Sequence, residues 1–341
     1  MRNSQNVTIK DVARLAGVSI STASRALTGA GGVSPALEKS ILDAANKLCY
    51  RPNLAARGLR RSRTLTLGIV FNNLRGPGQL DLLKGVGGAC NASGFGLLAA
   101  DADGDHQQYL SLIRRFFEQR VEGLFLVSPI DLGDSLLDYR RASVPVIALL
   151  GKDSSAGATP LVGPSERHGI NDAMGALVGL GHREIGYVLR SWDEVRLREI
   201  NEALASAGLT ASDASVVVPR NYDDAVVHES VTRALSGAGR PTALVVHSIL
   251  LASTVAAVHD MKLSVPQDVS LVSIGASSWN QVFDRSMSAV EADSRAIGQN
   301  GCRVMLDWIG GKEPVGDYSE LAVWRPRSSI TAASRSPARA K

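Results

Sequence analysis

Helical periodicity of apolar and polar positions dominates the first 50 residues of the chain. Thr8 can cap a first helix, Asp11 lies three residues on to return the bond, and Gly17 ends that helix. A serine cap predicts a second helix over residues 19–27, and a serine followed by proline predicts a third over 34–47. The pattern therefore predicts helix, tight turn, helix, loop and helix.

From residue 65 onwards, short β-rich runs alternate with amphipathic helical windows. The predicted strands are 65–71, 96–101, 123–128, 144–149, 185–189, 215–218, 242–247 and 270–274. The windows between most of them have the length of crossover helices, which predicts an α/β body with doubly wound parallel sheets. Because the body has about 260 residues and a break near 161–164, we expect two lobes.

Two segments have a composition that cannot build a core of its own. Residues 51–63 (RPNLAARGLRRSR) are strongly basic, and we expect them to form a linker, or hinge, that folds as a short helix only against a partner. Residues 331–341 form a basic tail that we expect to be disordered. The predicted domains are thus a head (1–50), the hinge, a body (64–330) and the tail.

Charge is distributed unevenly along this chain of 341 residues, whose 45% hydrophobic and 21% charged content is typical of a globular protein. Residues 1–63 hold eleven Lys and Arg against three acidic residues, a balance of +8, whereas the whole chain carries +4. A basic head on an acidic body indicates that the head contacts a polyanion. A basic face that is merely solvated is the alternative reading of the charge alone.

Cysteine usage and hydropathy limit the class of protein. Cys49, Cys90 and Cys302 are widely spaced, which argues against a disulfide framework and a structural zinc site. We expect no metal, no cofactor and no membrane segment, because the N-terminus has no apolar signal region and the least polar stretch is interrupted by polar residues. A cytoplasmic location is expected.

The two predicted helices around Gly17 have the spacing of a helix-turn-helix, whose second helix presents its first residues to base edges in the major groove. Arg25 can form a two-pronged contact with guanine, and Ile20 can touch a thymine methyl group. Ser21 also faces the bases, and Thr22 and Ser24 are placed for phosphate oxygens. A small helical bundle without a ligand is the alternative.

The sequence resembles the lactose-repressor (LacI/GalR) family. The resemblance is carried in the head and hinge by TIKDVARLAGVSISTASRALTG and VSPALEKSILDAANKLCYRPNLAARGLRR, and in the body by RTLTLGIVF, VPVIALL, GLGHREIGYV, VPQDVSLVSI and WRPRSSI. It covers over nine-tenths of the chain. It implies a type I periplasmic-binding-protein fold for the body, a homodimer, double-stranded operator DNA as partner, and repression or other regulation of transcription.

The resemblance also assigns a role to the hinge. Family members place an Asn-x-x-Ala-Arg-Ser-Leu run as a helix in the minor groove, where its Leu wedges between base pairs. Asn53, Ala56, Arg57 and Leu59 match that run, and Gly58 replaces the usual Ser. The candidate DNA-binding residues are therefore Thr8, Ile20, Ser21, Thr22, Ser24, Arg25, Asn53, Ala56, Arg57 and Leu59.

Enzymatic function is not expected, and no catalytic residue is assigned. The sequence lacks GxSxG, GxGxxG, GxxxxGK[ST] and HExxH, and its six histidines are scattered without a ligand-like i,i+4 pair. His182, in a Gly-His-Arg turn, is more readily a structural residue than a base.

The resemblance places an effector cleft between the lobes, but the recognition residues match only in part. Arg196 aligns with the arginine that clamps ligand hydroxyls and Tyr222 with an aromatic that stacks on the sugar. The usual carboxylate and amide residues are replaced by Gly151, His247-Ser248 and Gly275-Ala276. Because these replacements remove hydrogen-bond acceptors, we expect neutral sugars not to bind.

Three readings of the body follow. In the first, the cleft binds another small molecule, with an anionic metabolite favoured, through Arg196, Tyr222, Lys152 and His247. In the second, the cleft is vestigial and DNA binding is independent of an effector. In the third, the chain is a solute-binding protein, against which the DNA-reading head argues. Residues 325–341 contain no leucine heptads, which favours a dimer over a tetramer.

Overall fold

The computed structural model describes residues 7–28, 31–51, 63–74, 76–127, 132–150, 159–191, 193–219, 223–237, 239–275, 286–316 and 318–333. The chain divides into two compact units, Met1–Leu65 and Thr66–Lys341. The first unit contains the predicted head and the second contains the body. Most of the predicted hinge, residues 52–62, lies outside the described residues.

The head contains three helices in its described part: α1 (Ile9–Leu15), α2 (Ile20–Thr28) and α3 (Pro35–Lys47). Their order and bounds confirm the predicted helix, turn, helix, loop and helix. Small and aliphatic side chains at helical spacing turn one face of each helix inwards. The buried residues of this core are Val12, Ala13, Ala23, Ala26, Ile41, Ala44 and Ala45.

The first lobe of the body is built on a parallel sheet of five strands. These are β1 (Thr66–Phe71), β2 (Gly96–Asp101), β3 (Gly123–Val127), β4 (Val146–Leu149) and β5 (Leu161–Val162), in the order β2-β1-β3-β4-β5. The helices that follow β1, β2 and β3 are α4 (Pro77–Ala92), α5 (His106–Glu118) and α6 (Leu137–Arg141), the last after a 3-10 turn. β3 is buried along its whole length, which is why it reads as an unbroken apolar run.

The second lobe has a six-stranded sheet. Its strands are β7 (Ile185–Arg190), β8 (Val216–Val218), β9 (Ala243–His247), β10 (Ser270–Ile274), β11 (Ser288–Glu291) and β13 (Val323–Arg325), in the order β13-β11-β10-β9-β7-β8. All pairings are parallel except that of β11 with β13. The helices around it are α7 (Arg167–Gly179), α8 (Glu194–Ser206), α9 (Asp224–Ser236) and α10 (Leu251–Asp260).

The chain passes between the lobes three times, where the sequence indicated one break. The first passage follows β5 and includes the short strand β6 (Pro164–Ser165), which pairs with β12 (Glu320–Leu321). The second passage leads from β11 to α11 (Ser294–Ile309), which packs on α4 of the first lobe. A Cβ at Gly298 would collide with the Leu82 carbonyl oxygen, so glycine lets these two helices approach closely. The third passage returns the chain to β13.

The predicted doubly wound two-lobed body is confirmed. The eight predicted strands are all present, with ends displaced by two residues at most, whereas β5, β6, β11, β12 and β13 were not predicted as strands. One continuous cluster of buried side chains draws on both sheets, including Ile69 and Val127 from the first lobe and Val245 and Val272 from the second.

Disorder from residue 331 onwards was the wrong expectation for the first part of the tail. The Ala333 amide donates to the Leu180 carbonyl at 2.9 Å, and the Thr331 carbonyl lies 3.0 Å from His182 Nε2. His182 is buried, and its Nδ1 lies 2.8 Å from the Thr242 hydroxyl. The ring thus joins two segments to the end of α7, in agreement with a structural role. Residues 334–341 lie outside the described chain.

Candidate nucleic-acid interface and inter-lobe cleft

Local hydrogen bonds fix the start of α1 as its sequence predicts. The Thr8 amide donates to Asp11 Oδ2 at 3.0 Å, and the Thr8 hydroxyl donates to the same oxygen at 2.7 Å. These hydrogen bonds lower the pKa of the Asp11 carboxyl below its ordinary value. Thr8 is exposed at the N-terminus of the helix, where the unpaired amides attract anions.

A four-residue turn joins α1 to α2. The Val18 amide donates to the Ala13 carbonyl at 3.0 Å, and Gly17 between them adopts a φ of 66°. This left-handed conformation is readily available to glycine and closes the C-terminus of α1. Ser19 then caps α2, since its Oγ accepts the Thr22 amide at 3.1 Å. The short turn with glycine is that of a helix-turn-helix.

The predicted DNA-reading residues lie on the outer side of α2. Ile20 is 40% exposed, Ser21 and Arg25 are also exposed, and Ser24 is half-buried, whereas the opposite side of the helix packs into the head core. Positions 20, 21, 24 and 25 share one helical face. The Thr22 hydroxyl is half-buried and lies 2.8 Å from Ser19 Oγ, so it contributes to the cap as well as lying near the surface.

The predicted hinge contacts cannot be placed in the same way. Asn53, Ala56, Arg57 and Leu59 lie outside the described residues, and their roles stay predictions. The interface that the structure describes is therefore the exposed face of α2 together with the N-terminus of α1.

A cleft lies between the two lobes of the body, at the carboxyl ends of strands from both sheets. Ligands of open α/β folds bind at this edge, because the loops there diverge. The cavity has a volume of about 90 Å³. Its lining includes Gly76, Gly78, Gln79 and Leu150 from the first lobe, and Glu166, Arg190, Arg196, His247, Ser248 and Gly275 from the second.

Arg196, which the sequence assigns to the effector site, lines the cleft, but its guanidinium group is paired within the protein. Nε donates to Glu166 Oε2 at 2.7 Å and Nη2 donates to Glu166 Oε1 at 2.8 Å. Nη1 donates to Asp193 Oδ1 at 3.0 Å. The side chains of Arg196, Glu166 and Asp193 are 12%, 1% and 3% exposed, so this is a buried two-pronged ion pair with a third charged partner.

Arg190, at the end of β7, completes this buried cluster. Its Nε and Nη2 donate to Asp193 Oδ2 and Oδ1 at 3.2 and 2.9 Å. Burial by itself would raise the pKa of Asp193, but the positive charges of Arg196 and Arg190 lower it below the ordinary range of a carboxyl. Asp193 therefore stays ionised between the two guanidinium groups.

His247, at the end of β9, is a neutral member of the cleft. The ring is 8% exposed, and its Nδ1 accepts the Ile249 amide at 3.3 Å. Burial lowers the pKa of His247 well below its ordinary value, and the charge of Arg190 adds to that effect. The lowered pKa disfavours the protonated form of His247 that an anion would attract, and the assignment of His247 to the effector site stays a prediction.

The described part of the cleft differs from the cationic pocket that the sequence led us to expect. Arg196 is matched by carboxylates and His247 is neutral. Glu166 adds a carboxylate to the lining at a position apart from the replaced residues. Lys152 and Tyr222 lie outside the described residues, and their assignment to the effector site stays a prediction.

Gly275 shows why one expected carboxylate is absent from this cleft. Its φ is 116°, a conformation that side-chain-bearing residues rarely adopt, and a Cβ there would lie 2.5 Å from Ser248 Oγ. The Ser248 side chain thus fills the space beside Gly275. A larger residue at position 275 would require both the backbone and Ser248 to move.

Sequence reasoning missed two polar residues that line the cleft, Glu166 and Arg190, and the buried Asp193 that pairs with the arginines. A signal was present, since Arg190, Asp193 and Arg196 alternate in charge at three-residue spacing directly after a predicted strand. Glu166 carries no comparable signal, because a single acid before a helix usually caps it or faces solvent. Its burial depends on the passage between the lobes.

None of the helices among the described residues combines the length and the apolar character needed to cross a membrane. Among the same residues, His, Cys, Asp and Glu side chains do not gather into a group of three or more that could hold a metal ion.

Two family models match this chain. Residues 8–53 match the family of bacterial regulatory proteins, lacI family, and residues 174–330 match the periplasmic binding protein-like domain. The first match covers the helix-turn-helix, and the second covers most of the second lobe together with α11.

Curated relatives align along most of the chain. Catabolite control protein A of Priestia megaterium is 26% identical over 317 residues, which are 91% of this chain and 94% of that protein. The HTH-type transcriptional repressor PurR of Aliivibrio salmonicida (strain LFI1238) is 27% identical over 312 residues, 89% of this chain and 93% of that protein.

Solved structures share the fold. The lac repressor dimer bound to operator and the anti-inducer ONPF superposes with a TM-score of 0.84 at 20% identity, covering 96% of this chain and 100% of that chain. A complex of the transcriptional regulator CelR with cellobiose superposes with a TM-score of 0.68 at 23% identity, covering 95% and 99%. The similarity at this level of identity is one of architecture.

Proposed function

Because this chain belongs to the lactose-repressor (LacI/GalR) family of transcriptional regulators, we propose that it binds a pseudo-palindromic operator as a homodimer and represses transcription under the control of a small molecule in the inter-lobe cleft. The observation that carries the proposal is the exposed face of α2. It presents Ile20, Ser21 and Arg25 on a head that, together with the hinge, carries a charge balance of +8.

A dimer suits this head because one helix-turn-helix reads only a half-site. Two-fold symmetry doubles the contact area, and the operator then mirrors the symmetry of the protein. Solved relatives support this, since the lac repressor structure is described as a dimer bound to operator. Leu59 in the hinge is proposed to wedge into the minor groove at the operator centre.

Control by a ligand in the cleft is supported by an unsatisfied polar atom. Gln79 Oε1 lies in the lining, is buried, and has no hydrogen-bond partner among the described residues. A buried carbonyl oxygen without a donor costs about 1–3 kcal/mol, and a ligand N–H or O–H group would remove that cost. A vestigial cleft would have no need for such a group.

We do not assign catalysis or a resident cofactor to this chain, and we place it in the cytoplasm with the DNA it reads. Curated relatives support a regulator, since both are named as a control protein or a transcriptional repressor. A solute-binding role for the body would leave the DNA-reading face of α2 without a use.

The experiment is a DNA titration by fluorescence anisotropy at several salt concentrations. Many of the eleven Lys and Arg residues in positions 1–63 are expected near phosphates, so log affinity should fall linearly with log salt concentration. Sedimentation should show two protein chains per DNA duplex. Affinity that does not change between low and high salt would contradict the proposed interface.

A further inference from the structure

Glu166 occupies an unusual position for a carboxylate in this cleft. It lies between β6 and α7, directly after the first passage between the lobes, and it is 1% exposed. Both of its oxygens accept from Arg196 on α8, at 2.7 and 2.8 Å. A planar guanidinium group and a planar carboxylate meet in this arrangement along two parallel hydrogen bonds, the strongest geometry for such a pair.

An anionic ligand would need the same edge of Arg196. The guanidinium group has five N–H groups, and three of them donate to Glu166 and Asp193. A phosphate or carboxylate that entered the cleft would meet the fixed negative charge of Glu166 at short range in a buried site, where like charges repel strongly. It would have to displace Glu166, and the two hydrogen bonds that Glu166 accepts from Arg196 would be lost.

We propose that Glu166 is a specificity-determining residue that makes the cleft select against negatively charged effectors. The effector class is then an uncharged polar molecule whose acceptors use the two remaining N–H groups of Arg196 and whose donor meets Gln79 Oε1. This inference rests on the proposed function of the cleft as an effector site. It differs from the anionic ligand expected from the sequence, because that expectation treated Arg196 as an unpaired charge.

The test replaces Glu166 by glutamine, which keeps the shape of the side chain and removes its charge. Inorganic phosphate serves as the anionic probe, and thermal unfolding of the full chain is followed in sodium phosphate and in sodium chloride at equal ionic strength. A ligand that binds the folded state stabilises it in proportion to ln(1 + [L]/Kd). Glu166→Gln should bind phosphate at least tenfold more tightly than wild type, because Arg190 and Arg196 are then opposed by the single carboxylate of Asp193 and the cluster gains a net positive charge.

Two control variants separate the cleft from the rest of the chain. Glu291→Gln breaks another two-pronged pair, in which Arg327 Nη1 and Nη2 donate to Glu291 at 3.0 and 2.8 Å, and should leave phosphate binding at the wild-type level. Adding Arg196→Gln to Glu166→Gln should abolish the gain. If phosphate raises the unfolding temperature of wild type and of Glu166→Gln by the same amount relative to chloride, the proposal is overturned.

If Glu166→Gln fails to fold, a comparison of wild type with Arg196→Gln still tests whether an anion reaches Arg196. Phosphate stabilisation of the wild-type chain that Arg196→Gln removes would show that an anion reaches Arg196 despite Glu166, and would also overturn the proposal. None of these melts involves DNA. A positive result combined with DNA binding that no ligand alters would leave the role of Glu166 intact and refute effector control.

Discussion

Replacing His247 by glutamine should remove a defined part of the acid sensitivity of the body. In the folded chain the ring is 8% exposed, its Nδ1 accepts the Ile249 amide, and it lies beside Arg190 and Arg196. Protonation would break that hydrogen bond and place a third positive charge in the cluster. Burial and these charges lower the pKa of His247, so the folded state resists protonation.

The sign and size of the effect follow from proton linkage. Since the folded pKa is lowered, the stability due to the neutral ring is complete above the unfolded pKa of about 6.5 and is lost as pH falls below it. One proton bound only by the unfolded state costs about 1.4 kcal/mol per pH unit, or about 2 kcal/mol between pH 6.5 and pH 5. His247→Gln should lack this loss.

Urea unfolding followed by tryptophan fluorescence measures the effect, because Trp192, Trp279, Trp308 and Trp324 all belong to the body. His168→Gln is the matched control, since His168 is 79% exposed on α7, and it should lose stability with acid as wild type does. His182 also has a pKa lowered by burial, so some acid sensitivity should persist in every variant. If the free energy of unfolding of His247→Gln falls between pH 6.5 and pH 5 as much as that of wild type does, the buried neutral ring is refuted.

Three further substitutions test other parts of the molecule. Arg25→Ala should cost about 1–3 kcal/mol of binding to the operator and little on random DNA, measured by anisotropy, and equal losses on both would mean that Arg25 contacts only phosphate. Leu59→Ala should reduce DNA bending, measured by energy transfer between labelled DNA ends, without altering dimerisation, and unchanged bending would exclude the wedge. Arg196→Met should destabilise the body by about 3–5 kcal/mol in urea because it removes the guanidinium group that donates to both oxygens of the buried Glu166 carboxylate, and Glu166→Gln in the same chain should restore part of that loss. Absence of such coupling would contradict the paired geometry.

Elements with local signals could be predicted from the sequence to within two residues. The Thr8 cap and the proline at the start of α3 mark helix ends through groups that lie within one turn. The bounds of β2 and β10 agree with the prediction: β10 is buried along its whole length and reads as an apolar run, whereas β2 is partly exposed and lies between turn residues.

Features that depend on distant contacts could not be predicted. β11 and β13 are short, and neither has an apolar run long enough to indicate a strand. The apolar face of α11 indicates a helix but not that α4 of the other lobe covers it. The charge state of the cleft was missed for the same reason, since Glu166 and Arg196 are 30 residues apart and meet only after the lobes form.

A head that reads a two-fold symmetric DNA site should select such sites from random sequence. The most direct measurement is selection of bound duplexes from a random library by the purified chain, repeated with Arg25→Ala. We expect enrichment of one pseudo-palindrome with two half-sites about one helical turn apart, and loss of sequence preference at one position of each half-site in Arg25→Ala. Enrichment of no sequence, or of a single half-site that Arg25→Ala leaves unchanged, would contradict the account.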